Sequence, residues 1–292
     1  MRLTLGAWLD LERMWGIEGS AFFLAQRSVA FSAGSDAAGN PPLYVPRFAA
    51  DLGREGSFTI SDSLAGFTGN LFIVSRTRLS GAEANGLVNL WSTPRFELDG
   101  LLGFRYLDLD ESLTIDAPNL GIVGLDINDA VHEQFRTRNQ FYGGQVGARL
   151  RVQNGPLSFT GTAKLALGAS HQIVDIQGST IETGTASANP GTFPGCILAQ
   201  STNLGQRTNN QFNVIPQLQT QLGYQWGPWL RTFIGYDFLY WNQVVRPGSE
   251  IDRSVNGIFR GGALVGVPRP LPLFDRTDFW AQAVTFGVEL RY

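Results

Sequence analysis

An apolar–polar alternation with a period of two constrains this chain more than any other feature. At the C-terminus Val284, Phe286, Val288, Leu290 and Tyr292 share one parity, and Ala283, Thr285, Gly287, Glu289 and Arg291 share the other. Successive side chains of a strand point to opposite faces, so this stretch makes a ribbon with one greasy and one polar side. The pattern recurs near 71–91, 95–110, 138–152, 157–172, 212–226 and 229–244, and less cleanly near 2–9 and 17–28. Nine antiparallel strands are therefore expected in one domain covering 1–292.

An alternating chain can also fold as a soluble sandwich, whose apolar face is its core. Two features argue against that here. Aromatic residues collect near the strand ends (Trp91, Phe96, Tyr224, Trp229, Tyr240, Trp241, Trp280, Tyr292), as in the girdles of transmembrane barrels. Several strands also exceed the 5–6 residues usual in soluble sheets. Composition agrees: charged residues are 16% of the chain against roughly 25% in soluble domains. No run of about 18 apolar residues offers a spanning helix, which leaves a closed barrel as the membrane option. The net charge of −3 gives no electrostatic case for nucleic acid.

The connections alternate in length. Short ones are expected near 10–16, 92–95, 153–156 and 227–228, and long ones over 29–70, 111–137, 173–211 and 245–278. Transmembrane barrels have short periplasmic turns and long extracellular loops. This puts the C-terminus on the periplasmic side and Met1 at the outer rim. Bacterial barrels have even strand numbers, so a tenth strand is expected ahead of Met1. Met1 itself leads straight into Arg2-Leu3-Thr4-Leu5, with no signal-peptide h-region. A rival tenth strand is Ser57–Ser61 inside the first long loop.

If the apolar faces meet lipid, the polar faces line the lumen. The expected lumen-facing charges are Glu18, Glu83, Glu97, Asp99, Arg105, Arg149, Arg151, Lys164, Arg231, Asp237, Glu289 and Arg291, with Arg2 beside them. Their signs nearly balance, and charges in a narrow low-dielectric space must be paired or solvated. About eight strands enclose a space just filled by side chains, whereas 16–18 leave an aqueous channel. A ten-stranded barrel is therefore expected to hold a plug or a narrow conduit. The inward Gly103, Gly147, Gly235 and Gly287 make room either for water or for large neighbours such as Trp8 and Phe22.

Little catalytic or metal chemistry is legible. His132 is placed in a loop, and His171 follows Ser170 but points to the opposite side of its strand. Asp126, Asp129 and Glu133 read as solvated loop charges. Asp108, Asp110 and Glu111 read as an acidic strand end, with Ca²⁺ binding as the sharper alternative. The single cysteine, Cys196, has no metal-ligand spacing around it. No catalytic residue, metal site or cofactor is assigned.

The stretches Gly16–Leu24, Gly81–Asn85, Gly103–Glu111, Thr137–Gln145, Gly235–Trp241 and Phe279–Tyr292 resemble the beta-barrel porin-7 family. The resemblance runs through nearly the whole chain in order. It implies a bacterial outer-membrane location and a porin label; family members usually open with an extra aromatic-rich strand that this chain lacks. The C-terminal strand, ending on an aromatic residue, resembles the signal read by the barrel assembly machinery. The expected partners are thus outer-membrane lipid and that machinery. The expected function is a porin-like barrel, with surface adhesion through the long loops as the rival.

Overall fold

A computed structural model describes residues 1–256 and 266–290. It contains fifteen β-strands among these residues. Nine form one continuous antiparallel path: β1 (Arg2–Trp8), β2 (Trp15–Phe23), β7 (Asn70–Ser92), β8 (Phe96–Ile122), β9 (Asn128–Asn154), β10 (Leu157–Thr183), β12 (Gly205–Gln225), β13 (Leu230–Val245) and β15 (Arg276–Leu290). Three more strands extend that sheet: β3 (Arg27–Gly34) pairs with β7, β6 (Phe67–Thr68) with β8, and β11 (Gly191–Pro194) with β10. A separate three-stranded sheet joins β4 (Leu43–Ala49), β5 (Arg54–Ser61) and β14 (Ser254–Val255).

The strands are longer than the alternation implied, and this corrects two loops. The expected loop 111–137 contracts to the turn between Ile122 and Asn128, and the loop expected from 173 begins only after Thr183. The Ser57–Ser61 stretch is a strand, but it belongs to the small sheet and is not a stave of the large one.

The large sheet is rolled, as its side-chain contacts show. Neighbouring strands lie about 4.8 Å apart, so β7 and β10 would be ~14 Å apart in a flat sheet. Yet Lys164 on β10 contacts the carboxylate of Glu83 on β7. Arg2 on β1 reaches Asp237 on β13 at 3.2 Å, across nearly the whole path. β1 and β15 are the two edges, and no backbone pairing joins them among the described residues.

Rolling sorts the two faces in the reverse of a water-soluble protein. Arg105 and Arg231 point inward and are each 2% exposed, whereas Leu102 and Phe286 point outward at 69% and 78%. The outward stripe includes Leu5, Ile17, Phe104, Val146, Leu165, Leu222, Ile234 and Val284, all exposed. Among the described residues no other layer packs against it.

Candidate functional site

Each inward residue is fixed by the pairing register. Asp99 lies opposite Arg149, Glu97 opposite Arg151, and Arg231 opposite Glu289. Two of these pairs close directly, Arg151–Glu97 at 2.8 Å and Arg231–Glu289 at 2.7 Å. Arg149 instead crosses to Glu18 on β2 at 2.7 Å. Asp99 accepts from the Asn89 amide at 2.9 Å. The buried Arg231 also donates to Ser158 at 2.8 Å and stacks on the Phe233 ring, 5.5 Å from its centroid.

The centre of the network is Glu83. Its carboxylate receives Arg105 at 3.1 Å, the Lys164 ammonium, and the Gln145 amide at 3.0 Å. Arg105 also donates to Gln217 on β12. These contacts join β7, β8, β9 and β10 through one buried carboxylate, and Arg105 carries the link on to β12. Such a charge is tolerable only when paired and hydrogen-bonded on all sides. Eleven of the expected inner charges thus lie on one buried face; Arg291 lies outside the described residues.

Two inward glycines serve their neighbours. A Cβ at Gly287 would run into the Phe233 ring, and one at Gly16 would meet the Trp8 ring at 2.9 Å. They make room for aromatic side chains, not for water.

Polar lining does not continue along the whole interior, contrary to expectation. Beyond the Glu83 cluster comes an apolar layer of Leu79, Leu107, Leu109, Phe141, Ala166, Ile215, Leu239 and Trp241, all buried. It draws on six strands, β7, β8, β9, β10, β12 and β13. Phe141 and Trp241 meet edge to face with centroids 6.1 Å apart. The cause lies in the sequence: the register runs unbroken through Tyr106, but beyond it the polar–apolar alternation changes phase. Leu107 and Leu109 turn inward while Asp108 and Asp110 turn outward.

The chain after β13 then folds across the interior. Asn139 is bonded to both backbone groups of Val245, at 2.9 and 3.0 Å. Arg246 clamps Glu111 with two bonds of 2.9 and 2.8 Å. Beyond this lies a second apolar cluster, built from Phe135, Val174 and Ile176 of the wall, Ile60 of β5, Val255 of β14 and the segment Cys196–Ala199. Glu133 is buried there, and its carboxylate accepts three backbone N–H bonds from Ile197, Leu198 and Ala199, between 2.5 and 2.9 Å. Burial pushes this carboxyl up to about 7, against the lowering effect of those three donors.

Other candidates change their reading. His132 is in β9, not a loop, and bonds Asp116 at 2.6 Å; His171 bonds Asn210 at 2.9 Å. Asp129 and Glu133 are also strand residues, and only Asp126 sits in the turn, where it accepts from Thr185. Asp108, Asp110 and Glu111 lie inside β8, and arginines fill them: Asp108 holds Arg138 by two bonds of 2.9 and 2.8 Å, and Asp110 holds Arg136 at 3.1 and 2.7 Å. Among the described residues no acid, His or Cys cluster has metal-binding form. Cys196 is buried.

The sequence model of the family described as Putative beta barrel porin-7 matches residues 1–292. The chain belongs to this family. No curated protein and no solved structure matches it. In this porin-7 family member, sequence reasoning missed the apolar layer and the Arg246 clamp. The phase change at Tyr106 was the available signal for the first. Arg246 sits in a connection with no periodicity, so nothing local announced it.

Proposed function

We propose that this family member is an outer-membrane β-barrel, porin-like, with an interior too filled for free diffusion. The observation that carries the membrane reading is the inverted distribution of polarity: ion pairs inside, bare aliphatic and aromatic residues outside. The length of the outward apolar stripe supports it. Phe96 to Tyr106, Tyr142 to Val152, Leu157 to Leu167 and Trp280 to Leu290 each span eleven residues. A tilted strand needs ~9–11 residues to cross the hydrocarbon.

The filled-interior reading rests on the two apolar layers and the Glu83 cluster between the rims. Ions avoid a dehydrated apolar constriction, and hydrophobic constrictions gate channels by dewetting. Any permeation through this barrel would be narrow and set by the charges around Glu83. The test is refolding into liposomes, then planar-bilayer recording. Protease protection and brominated-lipid quenching of the outward Trp15 and Trp280 should report insertion. Conductance should be small or silent in the natural protein, and should rise when Phe141 and Trp241 are both changed to Ala. A large steady conductance in the natural protein would overturn the filled interior. Failure to insert would overturn the membrane assignment.

A further inference from the structure

Just beyond the apolar stripe, the outer face of the sheet carries four arginines. Arg76 and Arg78 stand on β7, Arg136 and Arg138 on β9, flanking β8. The register sets Arg76 and Arg136 on either side of Ser112, and Arg78 and Arg138 on either side of Asp110. All four point outward, and Arg76, Arg78 and Arg136 are exposed. Asp108 and Asp110 lie beneath them, 9% and 14% exposed, and hold the Arg138 and Arg136 forks from below. Asp175 on β10 is opposite Arg136. Four cations over three carboxylates leave a net positive patch. Arg76 has no hydrogen-bond or ion-pair partner among the described residues, and Ser112 between it and Arg136 is small. The register thus frames a notch, with an arginine residue on either side and Ser112 between them.

We infer that this notch binds the phosphate of a phosphorylated glycolipid in the surrounding leaflet. The inference rests on the membrane reading above. Guanidinium forks engage phosphate with paired, charge-assisted hydrogen bonds. Each fork holding Asp108 or Asp110 uses two of its five donors, so the others remain available. Height selects the lipid. The arginines lie four to six residues beyond Tyr106 and Tyr142, where the apolar stripe ends. With a rise of ~3.3 Å per residue and a tilt of ~40°, that is roughly 10–15 Å further from the midplane. The headgroup zone of a phospholipid extends only ~5–7 Å beyond the hydrocarbon. A phosphate carried on a sugar headgroup stands higher, while its acyl chains lie along Phe104, Leu165 and Leu167.

The experiment uses the folded protein in neutral detergent, its fold checked by the gel-mobility shift between unheated and heated samples. Native mass spectrometry then follows retention of diphosphoryl lipid A, phosphatidylglycerol or inorganic phosphate. Diphosphoryl lipid A should be retained preferentially, and Arg76→Gln with Arg136→Gln should lower its retention at least tenfold. The single Arg76→Gln variant breaks no ion pair and should lower it several-fold without affecting folding. Equal retention by natural protein and Arg76→Gln would overturn the proposal, as would equal binding of phosphatidylglycerol or of inorganic phosphate alone. Liposome insertion of the natural protein, measured in parallel, separates the two readings. A protein that inserts but shows no arginine-dependent retention loses only this inference; one that does not insert loses the membrane reading as well.

Discussion

Arg2 and Asp237 form an ion pair 3.2 Å long between the first strand of the rolled sheet and its last strand but one. Backbone pairing does not join the two edges among the described residues, so this contact ties the β1 edge, through side chains, to the strand beside the other edge. Arg2→Asp should destabilise the protein by placing two carboxylates together, and adding Asp237→Arg should recover part of the loss. Urea unfolding followed by gel mobility gives the coupling, expected at ~0.5–3 kcal/mol for residues in contact. Additive effects of the two changes would show that the edges are held by other means.

Glu83 is the single carboxylate shared by Arg105 and Lys164. Glu83→Gln leaves two buried cations without their anion and should cost about 3–5 kcal/mol. Lys164→Met in the same background removes one stranded charge and should restore a large part of it. The check is the urea midpoint of the single and double variants. If the double variant is no more stable than the single one, the pairing does not set the cost.

At Gly287, the Phe233 ring occupies the space a methyl group would need. Gly287→Ala should destabilise by about 1–3 kcal/mol through overpacking. Phe233→Leu should be partly compensating, because it withdraws the ring from that space. Denaturation midpoints of the four combinations decide this, and a neutral Gly287→Ala would sink it.

The Cys196–Ala199 segment is pinned by Glu133, whose carboxyl is pushed up to about 7 in the fold from an ordinary 4.5. Because the folded pKa is the higher one, the opened state loses its proton first as pH rises. The penalty is therefore absent below about 4.5, grows between 4.5 and 7, and is complete above 7, at about 3 kcal/mol for this shift. The segment should open more readily at neutral pH than at pH 5. Thiol labelling of Cys196 reads the opening, with Glu133→Gln as the reference that corrects for thiol chemistry. Parallel pH profiles in the two proteins would exclude Glu133 as the cause.

Much of the wall was legible from the sequence because each stave repeats one physical demand. The outward parity from Phe96 to Tyr106 carries Leu98, Leu102 and Phe104, and the inward parity carries Glu97, Asp99 and Arg105, so orientation and charge placement follow together. The interior beyond the stripe was not legible by the same rule. At Leu107–Asp108–Leu109–Asp110 the alternation persists with its phase reversed, and a rule that assigns every polar residue inward misplaces all four. The partners of those charges depend on curvature. Lys164 finds Glu83 three strands away, a pairing that no local spacing encodes. The residues of the small sheet and of Gln243–Arg246 carry too little periodicity to show that they fold inward.

On the membrane reading proposed above, the ion pairs that span non-neighbouring strands also dictate an order of events. A lone β1–β2 hairpin would have to take the Glu18 carboxylate into hydrocarbon unpaired, because its counter-charge, Arg149, arrives on β9. The bilayer crossing of any one hairpin is therefore coupled to the arrival of strands made later in the chain. The staves must gather and curl as a set, so insertion is a collective step whose barrier rises whenever a single member of the interior charge circuit is missing.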